Sequence, residues 1–252
     1  MYPILLAATA IAGPVPSPVA AQGADRFAAC IALAEADPVR AIEEANSWQV
    51  GGGGILARQC LGLAFAAQGR WIPAMAAFEQ AAREAERGRD GRAARLWVQA
   101  GNAALAGGEA PKGRAFLDTA IISGNLSGPE MGEAHLDRAR ALVALRQPKE
   151  ARADIDAALN LVPEDPLAWL LSATLARREG DLLRASNNIA EAARRAPDDA
   201  TVALEAGNIA VLDGKPDAAR IAWEGAVKLA PGSAAGKSAA EALKQLGAAP
   251  AP

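Results

Sequence analysis

The side chains in this 252-residue sequence best suited to chemistry are few: one histidine, His135, and two cysteines, Cys30 and Cys60. A lone histidine makes no metal cluster, and the cysteines lack zinc-ligand spacing. No serine stands in a nucleophile-elbow sequence. The stretch GSAAGKS, Gly232 to Ser238, has the lysine and serine of a phosphate-binding loop, but three residues separate its glycines. That loop needs four, and a strand before it instead of a helix. Carboxylates such as Glu43, Glu44 and Glu191 fall at mixed spacings that read as solvated helix faces. The cysteines admit two readings: an even count in an exported chain invites a disulfide, whereas two small buried hydrophobes need none. No catalytic residue, metal site or cofactor motif is legible.

The elements that would position these groups are helical by composition. Apolar residues make up 51 % of the chain but aromatics only 4 %, and alanine dominates, a residue that loses no rotamer entropy in a helix. A net charge of −3 gives no field of the kind that draws nucleic acid, which is not expected as a partner. Met1 to Ala24 carries no charged side chain. Ile4 to Ala12 is an apolar run broken by Pro14, Pro16 and Pro18, with Val19, Ala20 and Ala21 where a signal peptidase needs small residues. The run is too short to span a bilayer. Residues 1–21 are therefore expected to be a signal peptide cleaved after Ala21, placing the mature chain in the periplasm or outside the cell. No lysine or arginine precedes the run, so its positive end is the terminal amine alone.

A fixed internal period organises the rest. Blocks beginning at Gly132, Pro166 and Ala200 follow one another at 34 residues (166 − 132 and 200 − 166), and such a period marks a repeat array. Each block closes near a proline, Pro163, Pro197 or Pro231, which cannot continue a helix. Position 8 holds Ala139, Ala173 and Gly207; position 20, Ala151, Ala185 and Ala219; position 27, Ala158, Ala192 and Ala226. Trp169 stands at position 4, Leu142 at position 11, and Ile155, Ile189 and Trp223 at position 24. Two earlier blocks, from Ile55 and from Ala94, fit the same frame through Leu61, Gly62, Phe65, Ala74, Phe78 and Ala81, then Trp97, Gly101, Gly113, Leu117 and Ala120. Glycine recurs at the turn as Gly69, Gly108, Gly180 and Gly214; Arg146 is the exception.

These blocks resemble the tetratricopeptide repeat. The resemblance implies an all-α fold, a right-handed α-solenoid of antiparallel helix pairs, with units at 55–88, 94–127, 132–165, 166–199 and 200–233. Residues 22–54 read as an irregular N-terminal cap, in which Gly51 to Gly54 form a flexible connection; 234–246 reads as a capping helix and 247–252 as a disordered tail. It further implies a non-catalytic scaffold that binds a protein or extended peptide on the concave face, which first helices line. A structural adaptor of an envelope assembly and an auxiliary subunit of a wall-active enzyme are the alternatives. First-helix positions free of the packing frame then give the candidate binding residues Gln59, Arg95, Asn102, Arg140, Arg177, Arg178 and Asn208, among Leu63, Val98, Leu136, Leu170, Leu204 and Val211. Asn102 and Asn208 each end an Ala-Gly-Asn triplet at a position where some members of the family bond a peptide backbone. The arginines have a second reading, as partners of acids such as Asp137 or Asp181. Because neighbouring first helices lie side by side in this architecture, it also brings Cys30 and Cys60 together, with pairing conditional on export.

Overall fold

The computed structural model describes residues 18–248; most of the expected signal peptide and the last four residues lie outside them. Thirteen helices and no strand occupy the described residues: α1 (Pro18–Ala36), α2 (Pro38–Val50), α3 (Gly54–Ala67), α4 (Trp71–Arg87), α5 (Ala93–Ala106), α6 (Ala110–Ile122), α7 (Pro129–Ala144), α8 (Pro148–Leu161), α9 (Pro166–Glu179), α10 (Leu182–Arg195), α11 (Ala200–Leu212), α12 (Pro216–Leu229) and α13 (Ala234–Ala248). No helix among them is long and apolar enough to cross a membrane.

Local chemistry sets the boundaries. The carboxylates of Asp37, Asp165, Asp181 and Asp199 accept from the amides of Arg40, Leu167, Arg184 and Thr201, satisfying donors that a helix start leaves open. Prolines occupy the first turn of α2, α7, α8, α9 and α12, where no amide hydrogen is needed. Gly180 closes α9 with φ 81°. Arg146 takes φ 58° at the equivalent turn. The GSAAGKS stretch is a helix start: the Ser233 hydroxyl accepts from the Gly236 amide as α13 begins.

The frame of small residues explains the pairing. Ala151, Ala158, Ala173, Ala185, Ala192, Ala219 and Ala226 are all fully buried where the two helices of a pair cross. At Gly207 even a methyl is excluded, since a Cβ there would stand 2.4 Å from the Trp223 indole. The buried side chains form a series of clusters along the chain, each shared by adjacent helices, as expected of a solenoid in which every unit touches only its neighbours. First helices also approach each other, α1 to α3, α5 to α7 and α9 to α11, while successive second helices make no comparable contact. The odd-numbered helices therefore lie on the inside of the curve.

The glycine connection departs from expectation. It is a packed turn, with Gly54 already opening α3 and the Trp48 ring lying against Gly53, where a Cβ would sit 2.5 Å from it. At the other end, α13 runs on to Ala248, past the expected end of the cap at Leu246.

Candidate functional site

The inner face is a row of side chains that reach from one odd helix to the next. Cys30 on α1 and Cys60 on α3 form a disulfide, with their Cα atoms 5.9 Å apart. The Gln59 amide on α3 donates to Gln99 on α5 at 3.0 Å. Arg95 on α5 forks onto both carboxylate oxygens of Glu130 on α7. Asn102 on α5 donates to Asp137 on α7 at 2.7 Å, and Arg140 approaches the other Asp137 oxygen at 3.2 Å. Further along, Arg177 on α9 forks onto Glu205 on α11 at 2.6 and 3.2 Å.

Six of the seven candidate binding residues thus have partners within the fold. Asn208 is held on both sides: its amide donates to Glu205 and its oxygen accepts from the Trp223 indole, each at 3.2 Å. Asn102 is held on one side only, because its carbonyl oxygen is buried with no hydrogen-bond partner. Arg178 is exposed and forms no ion pair among the described residues. Asp181, considered above as an arginine partner, instead caps α10 through the Arg184 amide. Of the apolar residues expected on this face, Leu136 and Leu170 are buried in the core; their position points between helices.

Two buried carboxylates depart from the picture of acids on solvated faces. Asp154, 4 % exposed, accepts from the His135 ring at 2.8 Å and from Arg138 at 2.7 and 2.6 Å, and Arg138 also reaches Asp118 at 2.8 Å. Burial would raise the Asp154 pKa, but the hydrogen bonds from Arg138 and then His135 outweigh it and hold the carboxyl below its ordinary value. The network ties α6, α7 and α8 together. His135 and Arg138, three residues apart on one helix face, were the signal for it. Glu205, 6 % exposed, has Arg177 and Asn208 as partners. Asp137 moves the other way: burial pushes its pKa up, against the opposing contacts of Asn102 and Arg140. No group of three His, Cys, Asp or Glu among the described residues stands close enough to hold a metal.

Two joints, α7 to α9 and α11 to α13, have no polar rung, and α11 and α13 pack through apolar side chains instead. No hydrogen bond or ion pair joins α7 to α9, and these two helices do not approach as α5 and α7 do. A cavity of about 160 Å³ opens between them, with Val143 on one side, Leu171, Thr174 and Leu175 on the other, and Ile155 of α8 behind. Arg140 and Arg178 line its mouth. A wider depression of about 860 Å³ lies at the N-terminal end between Phe27, Trp48, Leu56 and the starts of α3 and α5.

Models of the tetratricopeptide repeat match residues 132–175 and 171–234. Residues 132–234 belong to the tetratricopeptide-repeat family. Two solved structures share most of the chain's length. PilW, described as a widely conserved type IV pilus biogenesis factor, superposes with a TM-score of 0.72 at 17 % identity over 88 % of this chain and 99 % of its own. The pilF protein of Pseudomonas aeruginosa gives a TM-score of 0.68 at 17 % identity over the same shares. YrrB, described as a TPR protein with an unusual peptide-binding site, gives a TM-score of 0.55 at 19 % identity over 79 % of this chain and 96 % of its own. At such identities the likeness is one of fold. No curated protein matches the chain in sequence.

Proposed function

We propose that this chain is a non-catalytic scaffold that holds a protein partner or extended peptide along its inner face. The observation that carries this reading is the uncovered cavity between α7 and α9, an apolar recess on a face whose joints from α1 to α7 and from α9 to α11 are closed by polar rungs or a disulfide. Apolar recesses with a few convergent polar groups are where ligands seat. We further propose export to the periplasm or beyond, a reading supported by the apolar leader with its small residues before Gln22 and by the Cys30–Cys60 disulfide. A second reading, an adaptor of an envelope assembly that uses its outer side, draws on Leu183 of α10 and Ile221 of α12, which are 76 % and 70 % exposed.

Affinity capture from an envelope fraction with three forms of the protein separates these readings. Arg140→Glu with Arg178→Glu abolishes capture if the inner face binds, and Leu183→Asp with Ile221→Asp abolishes it if the outer side does. Capture that survives the first pair and fails with the second refutes the inner-face reading. N-terminal sequencing of the mature protein is expected to begin at Gln22; an intact leader on exported material overturns that assignment.

A further inference from the structure

The cavity between α7 and α9 carries a statement about what enters it, one that rests on the inner-face reading. Its walls are aliphatic, and Ile155 and Leu175 are almost wholly buried at its base. At about 160 Å³ it matches the size of apolar protein cavities, about 150 Å³, that accept a single benzene ring, so it has room for one side chain and not for a folded element. Its mouth is cationic. Among the described residues Arg178 has no acidic partner, and Arg140 has only Asp137, three residues back on its own helix at 3.2 Å and 51 % exposed on the arginine side. An exposed pair of that kind contributes little and yields readily to a better-placed carboxylate. The inner face continues beyond the cavity in both directions, to the Asn102–Asp137 rung and to the Arg177–Glu205 rung, and a chain lying along it passes over the cavity without ending there.

We propose that this recess receives one aliphatic side chain of an extended peptide while Arg140 and Arg178 pair with the side-chain carboxylate of an adjoining aspartate or glutamate. Planar guanidinium groups suit that pairing, and being charge-assisted it supplies the orientation that an apolar pocket lacks.

Methyl-resolved NMR of the full chain with the probe Ac-Gly-Leu-Asp-Gly-NH2 tests this. At millimolar probe, saturable shifts are expected at Val143, Leu171, Thr174 and Leu175. Replacing the probe's leucine with glycine, which removes the buried side chain, or its aspartate with asparagine, which removes a charge-assisted hydrogen bond, weakens binding about tenfold or more. Arg178→Gln gives the same loss, Thr174→Leu fills the recess and removes the shifts, and Lys244→Gln changes nothing. Equal binding of the asparagine probe, or unaltered binding to Arg178→Gln, overturns the carboxylate assignment. Tighter binding of Ac-Gly-Leu with a free C-terminus overturns the internal residue in favour of a chain end. Shifts confined to Leu63 and Val98 overturn the pocket while leaving the inner-face reading intact. Silence at every methyl also overturns the pocket, and the capture experiment then decides the reading separately.

Discussion

Opening the Cys30–Cys60 bond is expected to loosen the N-terminal end of the stack and nothing else. The two cysteines are 30 residues apart, and releasing a loop of that length returns about 3.6 kcal/mol of chain entropy to the unfolded state at 25 °C. In a single-core protein that loss would spread over every amide. Here the clusters succeed one another along the chain, and the one holding Cys30 and Cys60 involves α1, α2 and α3 alone, so the loss falls on the local opening of those helices. Native-state hydrogen exchange read by mass spectrometry, with and without reduction and thiol blocking, should show amides of α1 and α2 exchanging two to three decades faster, since about 1.4 kcal/mol corresponds to a factor of ten. Amides of α9 to α12 should be unmoved. Reduction is a cleaner perturbation than Cys60→Ala, because Cys60 is 1 % exposed and removing its sulfur adds a cavity cost of about 1 kcal/mol. Uniform acceleration through α12, or none in α1 and α2, would refute the serial picture of stability.

Asp154→Ala leaves Arg138 and His135 facing a carboxylate that is gone, and a loss of about 3 kcal/mol is expected in denaturant unfolding. Because the folded Asp154 pKa lies below its unfolded value, the stability its charge confers is present above about pH 4 and lost as pH falls through the folded pKa; the difference between native and variant should shrink there. Arg177→Ala strands Glu205 with Asn208 alone, costing about 2 kcal/mol, and unchanged unfolding would mean the pair is unformed in solution. Gly207→Ala forces a methyl into the Trp223 ring and should destabilise by about 1–3 kcal/mol, with a blue or red shift in tryptophan emission reporting the displaced indole. Arg146→Gly relieves a left-handed residue and should raise the unfolding midpoint by the equivalent of up to about 1 kcal/mol.

The helix pairs were legible because their rule is steric and local. Two helices cross closely only where side chains are small, so Ala151, Ala185 and Ala219 announce the crossing, and Pro163, Pro197 and Pro231 announce the stop. The inner face was legible only as a set of positions. Asn102 and Asn208 occupy the same Ala-Gly-Asn context, yet Asn208 is bound by the indole at Trp223 while the corresponding residue in the earlier unit is Leu117, which offers no donor, and Asn102 turns to Asp137 instead. The first contrast lies within a unit, at position 24 of the frame; the second depends on which residue the next unit presents across the joint, and a frame read one unit at a time does not contain that. The glycine run misled for a related reason: four glycines read as slack unless the Trp48 ring that packs on Gly53 is known to be there.

The missing rung between α7 and α9 also has a mechanical meaning. On the outer side of the same joint there are polar contacts: Arg152 of α8 reaches Ser172 and Glu179 of α9, and Arg184 of α10 pairs with Asp156 of α8. The joint is thus tied by polar contacts along one edge and only by apolar packing, Ala139 and Leu142 with Leu175, along the other, an asymmetry that suits a hinge. In elastic terms, a load applied along the stack is expected to concentrate its bending there and to widen or narrow the mouth of the cavity.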